Sequence, residues 1–225
     1  MFFYDSTMIL LIPAIIVTII AQYKISQSYN KYSKINTERG YTGEQVASNI
    51  LKENGIYDVE IEVVNGHMTD HYDPRAKKLR LSKDVYYGRS IASVGIAAHE
   101  VGHAIQHDIN YMPLILRNKI VPAVNFGASF SWLLFLLGLI LSIRPLLSVG
   151  IILFSITVVF QLITLPVELN ASNRAIKSII NLNLLSGEEV KGAKNVLYSA
   201  ALTYIAAALM AVMNLLRLVA LSRRD

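Results

Sequence analysis

The chain contains no cysteine among its 225 residues, which excludes disulfide staples, thiolate metal sites and cysteine nucleophiles. Charge is scarce as well. Asp, Glu, Lys and Arg make up 16% of the residues, against about 25% in an ordinary soluble domain, too few to cover a water-facing surface. No repeat or low-complexity stretch is present, and so apolar a composition excludes a disordered or collagen-like chain. Histidine is limited to five residues, all between His67 and His107. What abounds is apolar: 53% hydrophobic residues and a mean hydropathy of +0.43. The 21 Lys and Arg against 16 Asp and Glu leave a charge of +5. In so hydrophobic a chain that excess points to positive-inside topology rather than to a nucleic-acid partner. The composition describes an integral membrane protein whose first partner is the lipid bilayer.

Four charge-free runs organise it. Residues 6–23 form the first, near the lower limit of the roughly 17–25 residues that a membrane-spanning helix needs. No Lys or Arg precedes Lys24, so an uncleaved anchor is expected rather than a signal peptide, with a kink at Pro13. Residues 120–143 and 145–167 are each long enough to cross, and Arg144 between them predicts a tight turn joining antiparallel spans. Residues 195–216 are softer and rich in alanine, and read either as a fourth span packed through small residues or as a buried helix.

A globular region is expected over 24–119. Thr42-Gly43-Glu44-Gln45 is a capping-box pattern that opens a helix. Val59–Val64 alternates like a half-buried strand, Asn65-Gly66 is a hairpin signal, and Leu79-Arg80-Leu81 offers a further strand, to which a peptide could add where it lies at a sheet edge. Ser90 caps a helix expected over 91–107. Thirteen of the 21 basic residues lie between Lys24 and Lys119. Basic residues beside span ends stay cytoplasmic, so this region and the helical segment 168–194 are expected in the cytoplasm, with Arg144 outside. A crossing by the fourth run would leave Arg223 and Arg224 outside, against the same rule.

The chemistry lies in His99-Glu100-Val101-Gly102-His103. Two histidines at i and i+4 share one helix face about 6 Å apart along the axis, a spacing that lets both imidazoles reach one tetrahedral zinc. A glutamate directly after the first histidine lies beside the metal, where it can take a proton from zinc-bound water and return it to a leaving amine. His107 continues the series but lies roughly 12 Å from His99 along the helix, so one ion cannot take both. A catalytic zinc needs a third protein ligand, and only carboxylates remain. Asp108 faces away from His103. Glu188 and Glu189 read as an exposed helix start, and Asp225 ends the chain. Glu168 follows two spans that return the chain to the starting side, after Pro166 at an expected helix start. It is the expected third ligand.

These residues carry a resemblance. His99-Glu100-Val101-Gly102-His103, with Asp70-His71-Tyr72-Asp73-Pro74 and Leu79-Arg80-Leu81-Ser82 before it and Leu165-Pro166-Val167-Glu168 after it, resembles the YugP-like neutral zinc metallopeptidases over nearly the whole chain. The resemblance implies a membrane endopeptidase of the gluzincin kind, related in plan to the HtpX and CAAX-processing proteases. His99, His103 and Glu168 would then be zinc ligands and Glu100 the acid/base. Related enzymes place an aspartate four residues after the ligand glutamate; here Ser172 stands there, so Asn170 or Ser172 is expected to hydrogen-bond a ligand histidine. Arg174 could polarise the scissile carbonyl or serve as an interfacial cation. His71, with His67, could stabilise a transition state or be an ordinary loop histidine, and Tyr86 and Tyr87 are equally open.

The fold expected is a mainly α membrane protein with a zincin-like α+β region of a small sheet beside the motif helix. The function expected is a zinc-dependent endopeptidase of the cell membrane acting on a membrane-associated polypeptide. The alternatives are a non-proteolytic metal-binding scaffold, for which Glu100 would be dispensable, and a hydrolase of non-peptide amides or lipids.

Overall fold

The computed structural model describes residues 6–223; Asp5, Arg224 and Asp225 lie outside them. Four helices are long and apolar enough to cross a membrane: Ser6–Tyr32, Met112–Leu141, Arg144–Asn181 and Gly187–Ser222. In chain order the elements are α1 (Ile12–Tyr32), α2 (Gly43–Glu53), β1 (Glu60–Val64), β2 (His71–Asp73), β3 (Lys78–Ser82), α3 (Lys83–Tyr86), α4 (Ile91–Asp108), α5 (Met112–Leu141), α6 (Arg144–Asn181) and α7 (Gly187–Ser222). They form two compact units.

One unit comprises 6–22, 115–166 and 202–223. Its helices turn large apolar side chains outward, Ile9, Ile19, Phe126, Leu133, Ile140 and Ile152 among them, as a bilayer rather than water requires. Inside it Phe135, Leu147 and Leu218 form a small buried cluster. α5 and α6 approach closely where a Cβ on Gly150 would sit 2.8 Å from the Ser131 carbonyl. The expected turn falls at Ser142–Ile143, with Ser142 at φ 54°. Pro13 does not kink a continuous helix. Ser6–Leu11 is wound as a 3₁₀ helix and α1 begins at Ile12, so Pro13 sits in the first turn, where a missing N–H costs least.

The other unit comprises Tyr23–Leu114 and Val167–Ala201. Its sheet has the order β1-β3-β2. The Asn65-Gly66 hairpin does not form: β1 runs parallel to β3, and β2 pairs antiparallel with it. The turn that reverses the chain is Pro74–Lys77, where Asp73 Oδ1 accepts from the backbone N–H groups of Arg75 and Ala76. Leu79–Leu81 is therefore the central strand, with no edge free for a peptide.

The capping box on α2 is present in both directions between Thr42 and Gln45, and Ser90 Oγ accepts from the Ser93 N–H to cap α4. Val46 and Ile50 of α2, Leu79 and Leu81 of β3, Val94, Ala97 and Val101 of α4, and Ala175 and Ile179 of α6 share one core. Pro166 lies inside α6 rather than opening a helix, an arrangement membrane helices tolerate. Glu168 is thus a mid-helix residue, and segment 168–194 consists of the end of α6, a connection and the start of α7.

Candidate metal centre

α4 is the wall of the site. One face bears Val94, Ala97, Ala98 and Val101, which are fully buried. His99 and His103 stand one turn apart, their ring centroids 4.8 Å apart and nearly perpendicular. α6 lies against this helix through small residues. Ala171 and Ala175 are buried, and they stand three and seven positions after Glu168, the i, i+3, i+7 rhythm of a single helix face. The closest approach is at Gly102, where a Cβ would lie 2.5 Å from the Ala171 carbonyl oxygen. Any other residue at position 102 would force the two helices apart.

That contact brings Glu168 onto the histidines. Its Oε2 lies 3.3 Å from His99 Nε2 and 3.5 Å from His103 Nε2, with the Glu168 side chain 6% exposed. The three ligand-type atoms all lie within 4.8 Å of one another, the group among the described residues that could hold a metal ion with His99, His103 and Glu168.

The outer nitrogens of both rings are occupied. Ser172 Oγ lies 3.1 Å from His99 Nδ1, and Gln106 Oε1 lies 3.0 Å from His103 Nδ1. Gln106 Nε2 donates to the Val167 carbonyl at 2.8 Å and to Asn170 Oδ1 at 3.0 Å. Asn170 Oδ1 also accepts from Arg174 Nε at 2.8 Å. With its Nδ1 bound as a donor, a neutral imidazole presents an Nε2 lone pair to a metal. Two imidazole nitrogens and one carboxylate oxygen are a donor set suited to zinc, which accepts N and O ligands in a tetrahedral site with one position left open.

Burial works against a charged His103, but the hydrogen-bonding Glu168 and the charge of Glu100 outweigh it, so the imidazole pKa is raised above its ordinary value. Glu100 is itself buried, 9% exposed. The site therefore holds two carboxylates and two imidazoles largely out of water, a charge balance that a divalent cation completes.

The remaining sequence candidates fall elsewhere. His107 Nδ1 is hydrogen-bonded to the Tyr72 hydroxyl at 2.8 Å. Burial, then Asp58, Asp73 and Asp108, push that hydroxyl up to about 12, so it stays protonated. Asp108 is exposed. Glu188 pairs with Lys191, and Glu189 accepts from the backbone N–H groups of Ser186 and Glu38. His71 lies on β2, bound to the Thr69 carbonyl and beside Arg80, while His67 stacks edgewise on Tyr29. Tyr86 and Tyr87 contact each other. Of the two residues offered as partners for a ligand histidine, Ser172 reaches His99 directly and Asn170 acts one step removed. Gln106 was not anticipated. Its one signal is its place at i+3 from His103, one turn along the same helix.

The geometry agrees with comparison to known proteins. The family described as "Putative neutral zinc metallopeptidase" matches residues 7–223. The chain is 51% identical over 199 residues, 88% of each sequence, to the "Putative membrane protease YugP" of Bacillus subtilis (strain 168). No solved structure matches. The chain belongs to the neutral zinc metallopeptidase family, as a membrane protein with its metal-capable triad at His99, His103 and Glu168.

Proposed function

We propose that the protein is a membrane endopeptidase of the gluzincin kind, in which His99, His103 and Glu168 hold zinc and Glu100 is the acid/base. The observation that carries this reading is the convergence of His99 Nε2, His103 Nε2 and Glu168 Oε2 from two helices, beside a buried Glu100. When bound, zinc supplies Lewis acidity that lowers the pKa of a coordinated water and polarises a peptide carbonyl. Glu100 takes the proton from the attacking water as the C–O bond forms. It passes that proton to the amide nitrogen as the C–N bond breaks, so the departing chain leaves as a neutral amine. Ser172 and Gln106 hold the ligand rings in place through their Nδ1 atoms.

The substrate class is a membrane-associated polypeptide. The protein crosses the cell membrane several times, with the site on the cytoplasmic side. The distribution of basic residues supports that sidedness, since 13 of 21 fall between Lys24 and Lys119.

Purified protein in detergent should cleave an unstructured polypeptide, lose the activity to a chelator and regain it with zinc. Glu100→Gln should keep its zinc and lose about 10²–10⁴-fold in turnover. Wild-type turnover in Glu100→Gln would overturn the acid/base role of Glu100, whereas zinc uptake with no cleavage by the wild-type protein would favour a metal-binding scaffold.

A further inference from the structure

We infer that Gln106 is a positioning residue that ties His103 and Glu168, two of the three metal-holding side chains, into one unit. The inference rests on the metal-holding role proposed for those two residues.

Gln106 is fully buried, and a buried amide is costly unless its bonding capacity is used. Here both amide hydrogens are used and the oxygen has a partner. Nε2 donates to the Val167 carbonyl and to Asn170 Oδ1, and Oε1 faces His103 Nδ1. The Val167 carbonyl settles which way the amide points. A main-chain carbonyl only accepts, so the NH₂ must face it and the oxygen must face His103. His103 Nδ1 then carries the proton, and its Nε2 lone pair is left for a metal.

Val167 immediately precedes Glu168. The bond that orients the amide therefore also fixes the stretch of α6 from which the ligand carboxylate projects. Asn170 adds a second tether on the same helix, itself held by Arg174 Nε. Sliding α6 along α4 would break the bonds that dictate the tautomer of His103. Ser172 cannot do the same for His99, because a hydroxyl rotates and serves equally as donor or acceptor. The two histidines are thus unequally constrained, with His103 the determined one.

The test uses the full chain in detergent, with zinc affinity measured by competition against a chromophoric chelator and ligand geometry read from the visible spectrum of the cobalt-loaded protein. Gln106→Met should bind zinc about 10–100-fold more weakly, the usual effect of removing a ligand's hydrogen-bond partner, and should alter the cobalt bands. Gln106→Glu keeps an acceptor for His103 but loses both donors to α6, so it should stay clearly weaker than wild type. Asn170→Ala leaves the His103 contact intact and should weaken zinc about three- to tenfold, as expected for one hydrogen bond; it serves if Gln106→Met does not fold. Wild-type affinity in folded Gln106→Met, wild-type affinity in Gln106→Glu, or unchanged affinity in Asn170→Ala would each overturn the inference. Failure of the wild-type chain to take up zinc would instead overturn the metal-site reading beneath it.

Discussion

Gly102 of α4 faces the carbonyl of Ala171 on α6 so closely that a Cβ on the glycine would stand 2.5 Å from that oxygen. The neighbour is backbone, which cannot rotate away. Gly102→Ala should therefore push the helices apart, at the cost of about 1–3 kcal/mol typical of overpacking. The same displacement would draw Glu168 away from the histidines, so zinc affinity should fall as well. Thermal unfolding of the metal-free protein and zinc titration report the two effects separately. A Gly102→Ala variant equal to wild type in both would contradict this helix packing.

Glu168→Ala should cost metal as well as activity, because it removes one of three converging ligand atoms. Glu188→Ala should cost neither, its carboxylate being engaged with exposed Lys191. Glu189→Ala should keep its zinc but lower stability by about 0.5–2 kcal/mol, since Glu189 caps α7 and holds the Glu38 N–H. Elemental analysis after gel filtration distinguishes the three. Full zinc occupancy in Glu168→Ala would move the third ligand elsewhere.

His103 has a raised pKa in the metal-free fold. A group raised on folding stabilises the protein fully below its unfolded pKa, and that contribution is lost as pH rises through the folded value. The metal-free protein should therefore lose stability as pH rises from about 6.5, the unperturbed histidine value, through the folded pKa of His103. Zinc requires the neutral ring, so its affinity should fall on acidification, by about tenfold per pH unit for one competing proton, and from a higher pH than an unperturbed histidine would dictate. Thermal midpoints of metal-free protein and zinc titrations across that window check both signs. A metal-free midpoint that rises with pH there would refute the first.

Because cysteine is absent, single cysteines can report sidedness with an impermeant reagent on intact cells. Arg144→Cys should label and Lys52→Cys should not. α7 has the length and apolarity to cross, so Ser222→Cys should label with Arg144→Cys. The reverse pattern at 52 and 144 would invert the topology, and protection at 222 would mean that α7 does not cross.

Much of the design is local and is therefore written in the order of residues. Charge-free runs mark the long helices because charge in hydrocarbon is expensive wherever it occurs. Thr42 and Ser90 cap helices through bonds to residues three positions away. The His99–His103 pair follows from helical pitch alone. Even Glu168 could be reached by elimination, because so few carboxylates follow the motif. What the sequence did not reveal depends on partners distant in the chain. Asn65-Gly66 has the residues for a tight turn, yet β1 pairs in parallel with β3, a strand that begins 14 residues after β1 ends. Pro166 carries a helix-start signal, yet α6 continues through it. Whether Asn170 or Ser172 would serve His99 depended on the rotation of α6 against α4, set by Gly102 and Ala171. Gln106 carries no motif at all, since its role exists only once Val167 and Asn170, 61 and 64 residues away, are packed against it. Helical pitch and polarity act within a few residues and so leave a pattern in sequence, whereas the pairing of buried hydrogen-bonding groups is decided by which surfaces meet.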